Sequence, residues 1–180
     1  MKSGKESAIL NLSFGGGISQ AMDEAIQVMS LLGVTSVVAA GNQNEDACVT
    51  SPGRAPAAIT VGSTRKTNDQ KSSFSNFGPC VNIFAPGQNI LSAFNGNDND
   101  FTELSGTSMA APMVSGIAAR LVERNPGSSS AEIASSILCE ATTGVVDDLP
   151  DEGKSSTVLP SIVSFSVRTG KTSWEMAVCR

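Results

Sequence analysis

Residues 103–124 read ELSGTSMAAPMVSGIAARLVER, and the fold turns on how this stretch is read. Loop residues lead into Gly106-Thr107-Ser108, and a helix rich in small side chains follows directly. A serine at that junction has its hydroxyl at the positive end of a helix dipole, beside backbone N–H groups that have no helical partner. Pro112 falls early enough for the first turns, where a missing N–H costs little. Ala110, Ala111, Ser115, Gly116, Ala118 and Ala119 carry little bulk, so the helix can pack close to its neighbours. The stretch predicts a buried central helix that presents one hydroxyl at its tip. Its bland alternative is a core helix with Ser108 as the cap.

Working outward, the preceding segments alternate between strand and helix signals. Residues 8–14 (AILNLSF) form a short apolar strand that runs into Gly15-Gly16-Gly17, where the backbone can turn sharply or lie against a ligand. A helix begins at Ser19 or Gln20, with Met22, Ile26, Met29 and Leu32 or Gly33 as its apolar stripe. Residues 34–40 (VTSVVAA) are a β-branched run of the buried-strand type. This is a β-α-β unit, so a parallel sheet with right-handed crossovers is expected. Gly41-Asn42-Gln43-Asn44 follows at the carboxyl end of that strand, where open α/β sheets bind their ligands. Further strands are predicted over 58–63, 80–85 (stopped by Pro86-Gly87), 90–94 and 101–104. A helix over about 131–139 follows Ser128–Ser130. Residues 147–156 are acidic and turn-rich, 158–166 are β-like, and 168–180 carry no strong signal.

The bulk numbers narrow the function. The chain has 180 residues with 40% hydrophobic content, enough for one domain with a real core. A net charge of −5, and Lys and Arg that never cluster, argue against a nucleic-acid partner. No apolar run approaches the roughly 20 residues needed to span a bilayer, and no signal peptide is visible at the N-terminus. The sequence contains no histidine, which removes the commonest general base and metal ligand. Cys48, Cys80, Cys139 and Cys179 show no C-x-x-C spacing, so a zinc site is not expected. By themselves they allow two disulfides, one, or none.

Three stretches stand in order: Ser13-Phe14-Gly15-Gly16-Gly17, Ala39-Ala40-Gly41-Asn42, and Gly106-Thr107-Ser108-Met109-Ala110-Ala111-Pro112. Together they resemble the subtilases, the subtilisin-like serine proteases, and within them the proteinase K branch. SPGRAPAAITVGS, SSFSNFGPCVNIFAPG and ILSAF fit that branch in the same order. The resemblance covers about residues 8–142. It implies an α/β fold of three layers, with a mostly parallel sheet and a buried central helix that carries the nucleophile. It also implies a catalytic domain over residues 1–146 that is incomplete on its N-terminal side, and a divergent tail over 147–180.

Carried over residue by residue, the resemblance implies that Ser108 is a nucleophile that attacks a peptide carbonyl. It implies that Asn42 is the oxyanion-hole amide, with the Ser108 N–H as second donor; losing such a donor costs about 3–4 kcal/mol of transition-state stabilisation. Ser13, Phe14 and Gly15 match the strand that pairs with the substrate backbone. Ala39, Ala40 and Gly41 match a pocket wall with room for a large apolar or aromatic side chain. Cys48 and Cys80 match a disulfide of some members. No catalytic cofactor is implied. The one candidate ion is a structural calcium on Pro56, Ala58 and Asn82, where a neutral amide replaces the branch's carboxylate and weakens the site.

The departures matter as much. The family's Asp and His motifs lie upstream of the segment that this chain matches, and Asp23, Asp46, Asp69 and Asp98 do not sit in such a motif. Without a base Ser108 keeps an unactivated hydroxyl. Met113 stands where a histidine of structural role is common in the family. The expectation is a secreted serine endopeptidase acting on proteins or peptides, of which this chain alone is inactive or very weak. Its implied partners are the missing N-terminal half or a propeptide inhibitor, with no membrane partner. The alternative is a catalytically inactive peptide-binding relative. An α/β-hydrolase would need G-x-S-x-G, and Ala110 breaks that pattern.

Overall fold

The computed structural model describes residues 7–150 together with the strand Val158–Leu159. The β-branched and apolar runs form a six-stranded sheet. Its strands are β1 (Ala8–Leu12), β3 (Val34–Ala39), β5 (Ala58–Arg65), β6 (Ile83–Gln88), β10 (Val158–Leu159) and β9 (Thr142–Thr143), in that spatial order. All neighbours are parallel except β9, which runs antiparallel to β10. Two small antiparallel pairs complete the strands. They are β2 (Gly16–Gly17) with β4 (Thr50–Ser51), and β7 (Ile90–Ala93) with β8 (Phe101–Leu104).

Strand alternation sorts the core into two layers. Val37, Ala39, Ile59 and Val61 face α2 (Thr107–Arg124) and α3 (Ser130–Glu140), whose Ala110, Ala111, Val114, Ala118, Ile133 and Ile137 complete the main cluster. Val38 and Ala58 face the other way, onto Ile26 of α1 (Gln20–Leu31). The chain is therefore three-layered, with helix on both sheet faces. The small residues of α2 let its buried face lie directly on the strands; Pro112, Met113, Gly116 and Ala119, on its other side, are exposed.

Caps and turns match the local chemistry. Ser19 caps α1 through the Met22 N–H, and Ser129 and Glu132 form a reciprocal capping box on α3. Ser108 caps nothing, because the N-cap of α2 is Gly106 and Ser108 lies inside the first turn. The helical stripe expected on α1 is buried only at Ile26; Met29 and Leu32 are exposed.

The strand expected over 80–85 begins and ends later, as β6. Over 80–82 a side chain replaces the ladder: Asn82 Oδ1 accepts from the Thr60 N–H at 2.7 Å, while the Asn82 N–H donates to the Thr60 carbonyl at 3.0 Å. Pro86-Gly87 does not stop β6, because the register with β5 shifts just there, between Thr64 and Arg65. A bulge needs no ladder N–H from the proline. Of the β-like stretch 158–166, only the first two residues are described, paired with β6 and β9. The segment 168–180 lies outside the described residues.

Cys48 and Cys80 are joined, with Cα atoms 5.3 Å apart. The bond ties the 3₁₀ turn Ala47–Val49 to the segment that precedes β6. Closing a loop of 32 residues removes denatured-state entropy worth about 3–4 kcal/mol. The double variant Cys48→Ala/Cys80→Ala should lose stability of about that size, read as a lower midpoint in urea.

Candidate active site

Two strand ends and one helix start meet at the carboxyl edge of the sheet. A cavity of about 410 Å³ opens there, lined by Phe14 and Gly15 after β1, Ala39 to Gln43 after β3, and Thr107 and Ser108 at the start of α2. Ser13, Phe14, Gly15, Ala39, Ala40, Gly41, Asn42 and Ser108, separated by up to 95 residues in sequence, are thus brought together.

Ser108 is half-buried. Its hydroxyl donates to the Ser13 carbonyl at 3.0 Å, and the Ser13 hydroxyl donates back to the Ser108 carbonyl at 3.0 Å. This reciprocal pair fixes the end of β1 against the helix tip. The Ser108 N–H lies in the first helical turn, where backbone donors lack intrahelical acceptors.

Asn42 is exposed at the cavity and held by its oxygen. Asn42 Oδ1 accepts from the Thr107 N–H at 2.9 Å and from the Thr107 hydroxyl at 3.0 Å. Its Nδ2 has no acceptor among the described residues, so the amide N–H groups are free to donate to a ligand. The Thr107 Oγ1 also accepts from the Gly41 N–H at 3.2 Å. Thr107 is fully buried, so one side chain sets the height of the Gly41-Asn42 loop above the helix.

A second amide, this one buried, shapes the same loop from below. Asn76 Nδ2 donates to the Ala40 carbonyl at 2.9 Å, and its Oδ1 accepts from the N–H groups of Gln43 and Glu45 at 2.9 and 3.2 Å. Gly41 has φ of 109°, in the region that favours glycine, and a Cβ there would collide with the Asn76 amide. Beyond Asn76, Lys71 is buried with its ammonium donating to Asn44 Oδ1 at 2.7 Å, the Ser75 carbonyl at 3.0 Å and the Ser72 carbonyl at 3.1 Å. Burial pushes the Lys71 ammonium below the ordinary lysine value, with Asp148 pulling the other way.

Of the residues singled out for calcium, Asn82 is the one whose side chain was to supply a ligand. The Asn82 oxygen is already occupied by the Thr60 N–H, and the amide carries no charge to offset the ion. Among the described residues no three His, Cys, Asp or Glu side chains converge on a common point.

Sequence reading missed Thr107, Asn76 and Lys71, as well as Glu45, Val49 and Thr50 on the far side of the cavity. Thr107 adjoins the serine in the motif and could have been flagged. The role of Asn76 depends on folding over more than 30 residues and left no local signal.

The subtilase family model matches residues 4–158. The chain belongs to the subtilase family. It is 49% identical over 139 residues to an extracellular serine proteinase of Thermus sp. strain Rt41A, covering 77% of this chain and 34% of the relative. It is 39% identical over 178 residues to a subtilisin-like serine protease of Rhodotorula mucilaginosa, covering 92% of this chain and 50% of that one. The crystal structure of a cold adapted subtilisin-like serine proteinase superposes with a TM-score of 0.79 at 41% identity, covering 86% of this chain and 55% of that chain. The chain thus spans from about a third to half of these relatives' lengths. No helix among the described residues is long and apolar enough to cross a membrane.

Two outcomes follow from this frame. Thr107→Val keeps the shape but leaves the Gly41 N–H without its acceptor. Stability should fall by about 1–3 kcal/mol in urea titration. Lys71 contributes a pH dependence of definite sign. Its folded value lies below 10.5, so between the two the unfolded chain holds more protons, and stability attributable to Lys71 rises with pH across that window. Urea titrations at rising alkaline pH up to 10.5 should detect this rise, and Lys71→Met should remove it.

Proposed function

We propose that this chain forms the nucleophile and oxyanion side of a secreted serine endopeptidase. The observation that carries the reading is the convergence of the Ser108 hydroxyl and the unengaged Asn42 amide on one cavity at the carboxyl edge of the sheet. In the proposed reaction Ser108 Oγ attacks the carbonyl carbon of a peptide bond. The carbonyl oxygen gains the negative charge, and Asn42 Nδ2 and the Ser108 N–H donate to it. Because the Asn42 oxygen is locked on Thr107, its N–H groups are aimed before substrate arrives, and little reorganisation is needed. The peptide nitrogen leaves with a proton, and water then releases the acyl group from Ser108.

The residue before the cut enters the cavity between Phe14-Gly15 and Ala39-Gly41. The substrate backbone runs beside the strand end at Ser13 to Gly15. Ser108 needs a base to take its proton, and no histidine exists among the 180 residues. In the proposed enzyme the imidazole and its aspartate come from polypeptide outside this sequence. The substrates are proteins or peptides. Secretion is supported by the names of relatives such as the Thermus extracellular proteinase.

The test is peptide-amide hydrolysis by the whole protein that contains this chain. Ser108→Ala should abolish turnover. Asn42→Ala should lower kcat by about 100- to 1000-fold with KM little changed. The isolated chain should hydrolyse casein far more slowly than the whole protein. Turnover that persists in Ser108→Ala would refute the assignment.

A further inference from the structure

We infer that the cavity beside Ser108 selects a long cationic side chain, lysine or arginine, through the carboxylate of Glu45. This rests on the reading of that cavity as the pocket for the residue before the cut. The resemblance in sequence points instead to an apolar or aromatic group, on the strength of Ala39, Ala40 and Gly41. The lining as a whole is different. Among the described residues that line the cavity, Glu45 is the one with a charged side chain; the rest are glycine, small or apolar residues, and neutral polar groups.

Three observations single out this carboxylate. First, its backbone is fixed: the Glu45 N–H donates to Asn76 Oδ1 at 3.2 Å, and its carbonyl accepts from the Phe77 N–H at 3.0 Å. Second, its side chain is exposed and has no hydrogen-bond or ion-pair partner among the described residues. By contrast Asp46, next in sequence, is spent on the Cys48 N–H at 2.8 Å. Third, the nearby cation of this loop, Lys71, is buried and committed to Asn44, Ser72 and Ser75, so it does not neutralise Glu45 by contact.

The remaining walls suit the stem of such a side chain. Ala39 and Ala40 are buried and apolar, and Val49, half exposed, also lines the cavity. Lysine and arginine lay their methylene stems along apolar surface and keep the charged head at a polar rim. A phenylalanine ring would fill the same volume but leave the carboxylate unanswered. The two side chains differ in shape and apolar area as well as in the charge pair, and of these terms the charge pair is the one sensitive to salt.

The discriminating ligands are N-acetyl-dipeptide boronic acids whose terminal side chain is lysine, norleucine or phenylalanine. Lysine and norleucine share the stem and differ in the head. Boron bonds to Ser108 Oγ as the tetrahedral anion, and the hydroxyl proton passes to buffer. Calorimetry on the whole protein that contains this chain should give lysine tighter binding than norleucine by about three- to ten-fold at low salt, as expected for one partly solvated charge pair. The ratio should fall toward one in 1 M NaCl and in Glu45→Gln. Equal or tighter binding of norleucine or phenylalanine, with binding lost in Ser108→Ala, would overturn this inference and leave the proposed site intact. Absence of binding by all three, or binding indifferent to Ser108→Ala, would overturn the proposed site and the inference with it.

Discussion

Thr107 holds the site together. Its side-chain oxygen accepts from the Gly41 N–H and donates to Asn42 Oδ1, while its own N–H donates to the same oxygen. Three hydrogen bonds from one buried residue thus join a loop after β3 to the first turn of α2, across more than 60 residues of sequence. Burial strengthens the arrangement, since each group would otherwise face a full desolvation penalty. The orientation of the Asn42 amide is a consequence: with its oxygen taken twice by Thr107, only the nitrogen is left to face the cavity.

Around that junction the constraints reinforce one another. The Gly41 backbone must come close to Asn76, and only glycine fits both the space and the positive φ. Asn76 then ties Ala40, Gln43 and Glu45 into one rigid turn. Lys71 supports the same turn from beneath through Asn44. The disulfide fixes the chain on the far side, at Cys48, next to the cavity residues Val49 and Thr50. A loop that would be mobile on an isolated βα unit is held by polar contacts on every side. That is how a site built on loops reaches the precision of one built on helices.

Much of this was legible beforehand, for definite reasons. The Ser108 helix announces itself because a glycine, a serine and several alanines leave a helix little bulk, which suits one that lies close against its neighbours. The parallel strands announce themselves as β-branched runs without polar alternation. The boundaries of β6 were misread because Asn82 imitates a strand residue with its side chain and a bulge excuses Pro86; neither effect has a local signature. The α1 stripe was overestimated because periodicity reports amphipathicity, not what is available to bury it. Met29 and Leu32 have the spacing but remain exposed. Asn76 and Lys71 were invisible because a buried polar residue is defined by its acceptors, and these come together only in the folded chain.

The Ser108 hydroxyl itself tells how far the chemistry is prepared. Its proton points at the Ser13 carbonyl, an acceptor too weak to draw the proton off at neutral pH. The Asn42 amide, which we propose as the oxyanion donor, is by contrast already held by Thr107. Electrostatic stabilisation and proton removal are separate contributions to acyl transfer, and they need not come from the same stretch of polypeptide. In the proposed enzyme the first is supplied by β3, α2 and the loops that join them. The second requires a group that can reach Ser108 Oγ. Pro112 and Met113 of α2 are exposed, and β1 has a free edge among the described residues. A free parallel edge next to an uncovered helix face is costly to leave in water, because it presents unpaired backbone groups and apolar atoms together. Polypeptide laid against β1 would meet the physical demand for cover, and in the proposed enzyme it is also what would bring Ser108 its base.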